Sequence, residues 1–165
     1  LYEQSRQFTM GKMGMAKILI VYHSQTGHTE ELARAVAEGV KEVEGAEAIL
    51  KRAGEATVED LLEADGVVIG SPENFGYMAG MVKDFFDRTF YQAHDKVFRK
   101  PFAVFISAGN DGTGALKAIE RIALGYKFKT VFPPVISRGP VRDEDLKLCR
   151  ELGGTVAAGC ELGIF

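Results

Sequence analysis

Ser24, Thr26 and Thr29 bring three hydroxyls around a single glycine in the segment Tyr22-His23-Ser24-Gln25-Thr26-Gly27-His28-Thr29. The segment follows an apolar run and leads at once into a helical pattern. Backbone N–H groups at a helix start, together with the positive end of the helix dipole, make a site for an anion. Each hydroxyl can donate one more hydrogen bond, and Gly27 lets the chain turn closely around a phosphate. The loop contains no Lys or Arg. Ser24, Gln25, Thr26, Gly27, His28 and Thr29 therefore suit a terminal phosphate monoester held by neutral donors, not a nucleoside triphosphate. Ser and Thr are also favoured helix caps, so a plain capped helix has the same composition.

Two further loops of hydroxyls, amides and glycines follow later apolar runs. In Ser71-Pro72-Glu73-Asn74-Phe75-Gly76, Phe75 offers a wall for a planar ligand and Gly76 permits close backbone approach. Pro72 stiffens the exit from the strand. Glu73 is out of place beside an anion unless it faces solvent or caps a backbone donor. Without a ligand, Phe75 would simply cover the core. The third loop, Ser107-Ala108-Gly109-Asn110-Asp111-Gly112-Thr113-Gly114, reads as a flexible wall of amides or as a glycine-rich connection. Its glycines, including Gly109, Gly112 and Gly114, have the order G-x-x-G-x-G, so the dinucleotide fingerprint G-x-G-x-x-G after a first strand is absent.

Other chemistries fail on residues. There is no G-x-x-x-x-G-K-[ST] and no G-x-S-x-G, the first loop holds no Cys, and no carboxylate cluster stands at the ends of the first and third apolar runs. His23, His28 and His94 lack metal-ligand spacing. We expect no metal and no obligatory acid–base residue. A net charge of -3 gives no footprint for nucleic acid, and no apolar run approaches the ~20 residues of a membrane helix. Cys149 and Cys160 fall on one helical pattern, about 16 Å apart by helical rise, too far for a disulfide. Two reduced thiols suit the cytoplasm.

The elements that must position these loops alternate along the chain. Apolar β runs occupy 17–22, 46–51, 67–70, 102–107 and 128–132, the last ended by Pro133-Pro134. Helical patterns occupy 29–43, 57–64, 78–90, 115–124 and 143–162. This predicts a doubly wound α/β domain with a five-stranded parallel sheet. The second and fifth strands, the least apolar, belong at the edges, which gives the order 2-1-3-4-5. In such a sheet ligands bind outside the carboxyl ends of the strands, beside the first, and there the three loops converge. Residues 1–14 are polar and unpatterned, with Met10, Met13 and Met15 as candidate starts; we expect a tail there and the domain over 15–165.

The first loop resembles the T/S-x-T-G-x-T phosphate loop of flavodoxins. Gly70-Ser71-Pro72-Glu73-Asn74-Phe75-Gly76-Tyr77-Met78, with Lys83-Asp84-Phe85-Phe86-Asp87-Arg88-Thr89 after it, resembles a stretch shared by WrbA-type NAD(P)H:quinone reductases and related FMN reductases of the flavodoxin family. The resemblance implies a flavodoxin-like fold and one FMN, its phosphate on Ser24 to Thr29. Glu73, Asn74 and Phe75 would lie beside the isoalloxazine and ribityl chain, and Ser107 to Gly114 along the pyrimidine side. Electron-carrier flavodoxins usually clamp the flavin between Trp and Tyr. This chain has no Trp, and its third loop has no Tyr. The expected function is therefore an FMN-binding oxidoreductase that takes electrons from NAD(P)H and passes them to a quinone or similar acceptor. The alternative is a flavodoxin-type electron-transfer protein that docks on a redox partner protein. Residues 90–100 are short where WrbA-type enzymes carry an insertion, and the aromatic-rich stretch 85–98 reads mostly as core and partly as a candidate homodimer contact.

Overall fold

The computed structural model describes residues 14–165, so nearly all of the expected tail lies outside the described residues. In chain order the elements are β1 (Ala16–Tyr22), α1 (His28–Lys41), β2 (Ala46–Arg52), α2 (Val58–Glu63), β3 (Gly66–Asn74), β4 (Tyr77–Met78), α3 (Gly80–Ala93), β5 (Pro101–Ala108), α4 (Thr113–Tyr126), β6 (Lys129–Thr130), β7 (Val135–Arg138) and α5 (Asp143–Leu162).

β1, β3 and β5 are the central strands, and their apolar side chains are buried on both faces. Continuous apolar strands have this outcome because helices cover each side of a parallel sheet. β2 pairs in parallel with β1 along its whole length, from Ala16 opposite Ala46 to Tyr22 opposite Arg52. β6 and β7 both pair in parallel with β5 at the far edge. The order is β2-β1-β3-β5, then that edge. This is the expected 2-1-3-4-5 arrangement with the fifth strand interrupted.

The interruption corrects the sequence expectation for 128–132. Pro133 and Pro134 lack the N–H that a ladder needs, but the chain stays beside β5 and resumes pairing at Val135. The third strand also differs from expectation. It runs past Gly70 to Asn74 and folds back as a hairpin, with Glu73 opposite Met78 and Asn74 opposite Tyr77. The Ser71 hydroxyl accepts the Ala79 N–H at 2.9 Å and fixes the hairpin base.

α2, α3 and α4 cover one face, packing Leu61, Phe85, Phe86, Ile119 and Tyr126 on Leu19, Val21, Val67 and Ile69. α1 and α5 cover the other, packing Leu32, Val36, Leu152 and Val156 on Ile18, Ile20, Val68 and Phe105. The Arg88-Thr89 part of the second motif is structural. Arg88 donates to the carbonyls of Ala53 and Ala56 at 2.7 and 2.9 Å and ties down the segment after β2. Thr89 hydrogen-bonds the buried Tyr126 hydroxyl at 2.7 Å, and burial pushes that phenol up to about 12.

Cys149 and Cys160 form no disulfide. Burial pushes the Cys149 thiol up to about 12. Since the thiolate is the nucleophile, Cys149 should resist alkylation in the folded chain at neutral pH and react on denaturation. Counting labelled thiols by mass spectrometry before and after urea checks this.

Candidate functional site

The site is decided by how the helices at the carboxyl edge of the sheet begin. α1 starts at His28 behind Gly27, whose φ of 100° is open to glycine and strained for other residues. No side chain caps this start, so the first-turn N–H groups are left for a ligand. The Ser24 hydroxyl instead accepts the Gly27 N–H at 3.2 Å and shapes the loop. α3 likewise starts without a side-chain cap, but it follows the hairpin and lines none of the cleft between the loops, whereas α2 is closed. At α2, Thr57 Oγ1 accepts the Asp60 N–H at 3.1 Å.

α4 also opens on this edge, but its start is filled by carboxylates. Glu73 Oε2 accepts the N–H groups of Gly114 and Ala115 at 2.9 and 3.2 Å. Asp111 Oδ1 accepts the Thr113 N–H at 3.0 Å, and that bond holds the Asp111 carboxyl below its usual range. Two helix ends of like potential thus differ in what is offered to a ligand, and α1 is the one that suits an anion. Glu73 is reconciled with that anion by capping α4. Glu73→Ala should cost about 1–2 kcal/mol by leaving two α4 donors without their acceptor, read as a lower urea midpoint with unchanged slope.

Between the loops lies a cleft of about 360 Å³, within the usual range for a small-molecule site. Gln25, Thr26, His28 and Thr29 form one wall, Pro72, Glu73 and Asn74 a second, and Ser107, Ala108 and Gly109 a third. The first and third walls are joined by a buried hydrogen bond of 2.7 Å between the Thr29 and Ser107 hydroxyls. Gly139 and Pro140, after β7, add a fourth wall absent from the sequence expectation. Its signal was available, since a Gly-Pro pair after an apolar run marks a turn.

The remaining expected residues stand off the cleft walls. Ser24 and Gly27 lie behind the first wall as loop-shaping groups. Phe75 and Gly76 are the two turn residues of the β3–β4 hairpin, with φ of 53° and 70°, the positive values a tight two-residue hairpin requires. The Phe75 ring is fully exposed. Asn110 is exposed, and Gly112 is the buried N-cap of α4. Gly114 touches the hairpin, and a side chain there would collide with the Gly76 carbonyl. A larger groove of about 750 Å³ lies between α3 and α4 and includes Tyr77 of the hairpin in its lining.

A cleft at the switch point of a doubly wound sheet, with an uncapped helix start and hydroxyl-rich walls, defines a mononucleotide-binding α/β protein. Comparison with known proteins agrees. Residues 48–137 match the family described as NADPH-dependent FMN reductase. A flavodoxin of Aquifex aeolicus (strain VF5) is 34% identical over 159 aligned residues, covering 87% of this chain and 86% of that protein. Among solved structures, a flavodoxin from the domain Archaea superposes with a TM-score of 0.77 at 22% identity, over 87% of this chain and 98% of that one. The flavodoxin, WrbA-like protein from Agrobacterium tumefaciens gives 0.74 at 24% identity, over 89% and 98%. The chain belongs to the flavodoxin-like family of FMN-binding proteins, and FMN is the cofactor of that family. The residues present fit FMN: the free α1 donors suit its monoester, and the amide-rich walls leave room for a flat ring. Among the described residues no cluster of three His, Cys, Asp or Glu could hold a metal ion, and no helix is long and apolar enough to cross a membrane.

Proposed function

We propose that residues 15–165 form an FMN-dependent oxidoreductase that takes electrons from NAD(P)H and delivers them to a quinone or similar acceptor. The observation that carries this reading is the composition of the cleft. No Phe, Tyr or Trp side chain lines it, and His28 is its one ring, so a flavin there would keep a face open to a hydride donor and to an acceptor. The family description, NADPH-dependent FMN reductase, supports the same donor. Bound FMN supplies the hydride and electron transfer. The protein's own residues bind and orient. Thr26 and the N–H groups of the first α1 turn hold the monoester, Thr29 and Ser107 lock the first wall to the third, and Pro72 to Asn74 and Gly109 set the walls around the ring. Phe75, at the hairpin tip, is placed to meet whatever approaches the open side. We place this chemistry in the cytoplasm, on the strength of two cysteines without a disulfide.

A second reading is favoured by the 34% identity to a flavodoxin, namely an electron-transfer protein that docks on a redox partner protein and has no acceptor pocket. An anaerobic titration of the FMN-loaded chain separates the two. Rapid loss of flavin colour with NADPH or NADH alone is the expected result. Loss of colour only after adding a partner reductase would establish the carrier instead.

A further inference from the structure

Arg52 ends β2, directly across from Tyr22 at the end of β1. Its guanidinium lies over the Tyr22 ring, 5.3 Å from the centroid. Nη1 donates to the carbonyl oxygen of Ser24 at 3.3 Å, inside the first loop. Nη2 stands 3.5 Å from Glu30 Oε1 in the first turn of α1. That same oxygen takes the Tyr22 hydroxyl at 3.4 Å and Arg34 Nη2 at 3.2 Å. Tyr22, Glu30, Arg34 and Arg52 thus converge beside a loop with no cation of its own. Two guanidinium groups against one carboxylate leave this group net positive.

We infer that Arg52 is a positioning residue for the FMN phosphate, pinning the Ser24 carbonyl and supplying the positive charge that the loop lacks. The inference rests on the FMN reading of the first loop and adds a residue from a different strand. The field of Arg52 already reaches the loop's entrance. The His23 imidazole, at the end of β1, is held below its usual pKa first by burial and then by the Arg52 charge. An isolated surface ion pair would do little. Arg52 differs because its planar fork is held at once by a ring face, a loop carbonyl and a carboxylate.

The test compares FMN with riboflavin, which lacks the phosphate, in titrations of the apo chain. Arg52→Gln removes the charge, and its amide is two bonds too short to hold the Ser24 carbonyl as Nη1 does, whereas Arg52→Lys keeps the charge; circular dichroism checks the fold of both. The Gln variant should lose about tenfold of the preference for FMN over riboflavin, the scale of one partly screened charge on a dianion. The Lys variant should keep most of it. In about 1 M salt, where the Debye length is about 3 Å, the difference between wild type and the Gln variant should vanish. An unchanged FMN-to-riboflavin ratio in the Gln variant overturns the inference, even if both ligands bind more weakly. So does a Lys variant as poor as the Gln variant. A wild-type chain that refuses FMN altogether would instead overturn the cofactor reading, and the role of Arg52 with it.

Discussion

Valine at both Thr26 and Thr29 is expected to weaken FMN binding by about one to three powers of ten, at about 1.4 kcal/mol for each. Valine nearly matches threonine in shape and removes only the hydroxyl, so the loss reads hydrogen bonding and not packing. The two positions contribute differently. Thr26 is exposed on the cleft wall, so its hydroxyl is open to a ligand and can be removed without loss of packing. Thr29 is 1% exposed and shares its hydroxyl with Ser107. Thr29→Val leaves the Ser107 hydroxyl buried without that partner, at about 1–3 kcal/mol of fold stability. Thr26→Val alone should therefore lower affinity at unchanged stability, and the double variant should lower both. Quenching of FMN fluorescence on titration into the apo chain, with urea unfolding beside it, separates the two effects. Equal affinity in wild type and double variant would remove the first loop from the site.

Gly153→Ala should be among the most damaging single methyls that can be added to this fold outside the cleft. α1 and α5 approach backbone to backbone on one face of the sheet. A Cβ at Gly153 would collide with the Val36 carbonyl oxygen, and one at Gly39 with the Arg150 carbonyl oxygen. Neither obstacle is a flexible side chain, so the helices must separate. Overpacking of this kind costs about 3 kcal/mol. For a chain of this size that lowers the melting temperature by about 6–12 °C. The neighbouring glycine supplies the control. A Cβ at Gly154 would lie 3.5 Å from the Gly39 carbonyl oxygen, an ordinary contact. Gly154→Ala should be neutral or stabilising by up to about 1 kcal/mol, because Gly is the poorer helix former. Similar melting points for the two variants would contradict the close approach.

The same two glycines show what was legible in the sequence. Leu146, Cys149, Gly153 and Val156 form a stripe that predicts the buried face of α5, and α5 runs over the expected 143–162. Periodicity says which face is buried, but not that the facing helix comes within a carbonyl's reach. All five expected helices and the first four strands exist, because continuous apolar runs and helical spacing are local signals, and the fifth strand keeps only Lys129–Thr130 of its expected span. The departures arise where a partner strand overrides local chemistry. Ser71-Pro72-Glu73-Asn74 has loop composition, yet extends β3, because Ile106 and Ser107 of β5 pair with Ser71 and Pro72 and Tyr77 and Met78 fold back on Glu73 and Asn74. Pro133-Pro134 ends pairing locally, yet β5 offers a further register from Phe105 to Ala108, and Val135–Arg138 takes it. At the site, the first loop was legible from its own hydroxyls and glycine. The residue type of Glu73 leaves two places open, solvent or a backbone donor, and the donors it takes, Gly114 and Ala115, lie about forty residues on. The Gly139-Pro140 turn has a local signal, but its place in the cleft, like the reach of Arg52 to Ser24, depends on which strand ends meet.

The central claim is that the uncapped first turn of α1 receives a phosphate monoester. Amide chemical shifts of the ¹⁵N-labelled chain, followed by NMR during titration with FMN and separately with riboflavin, read it most directly. Backbone N–H groups that donate to a phosphate move strongly downfield. The expected result is that the amides of His28, Thr29 and Glu30 do so with FMN and stay near their starting positions with riboflavin, while those of Gly109 and Asn74 respond to both. Saturable FMN binding that leaves the three first-turn amides in place would show that the phosphate is held elsewhere.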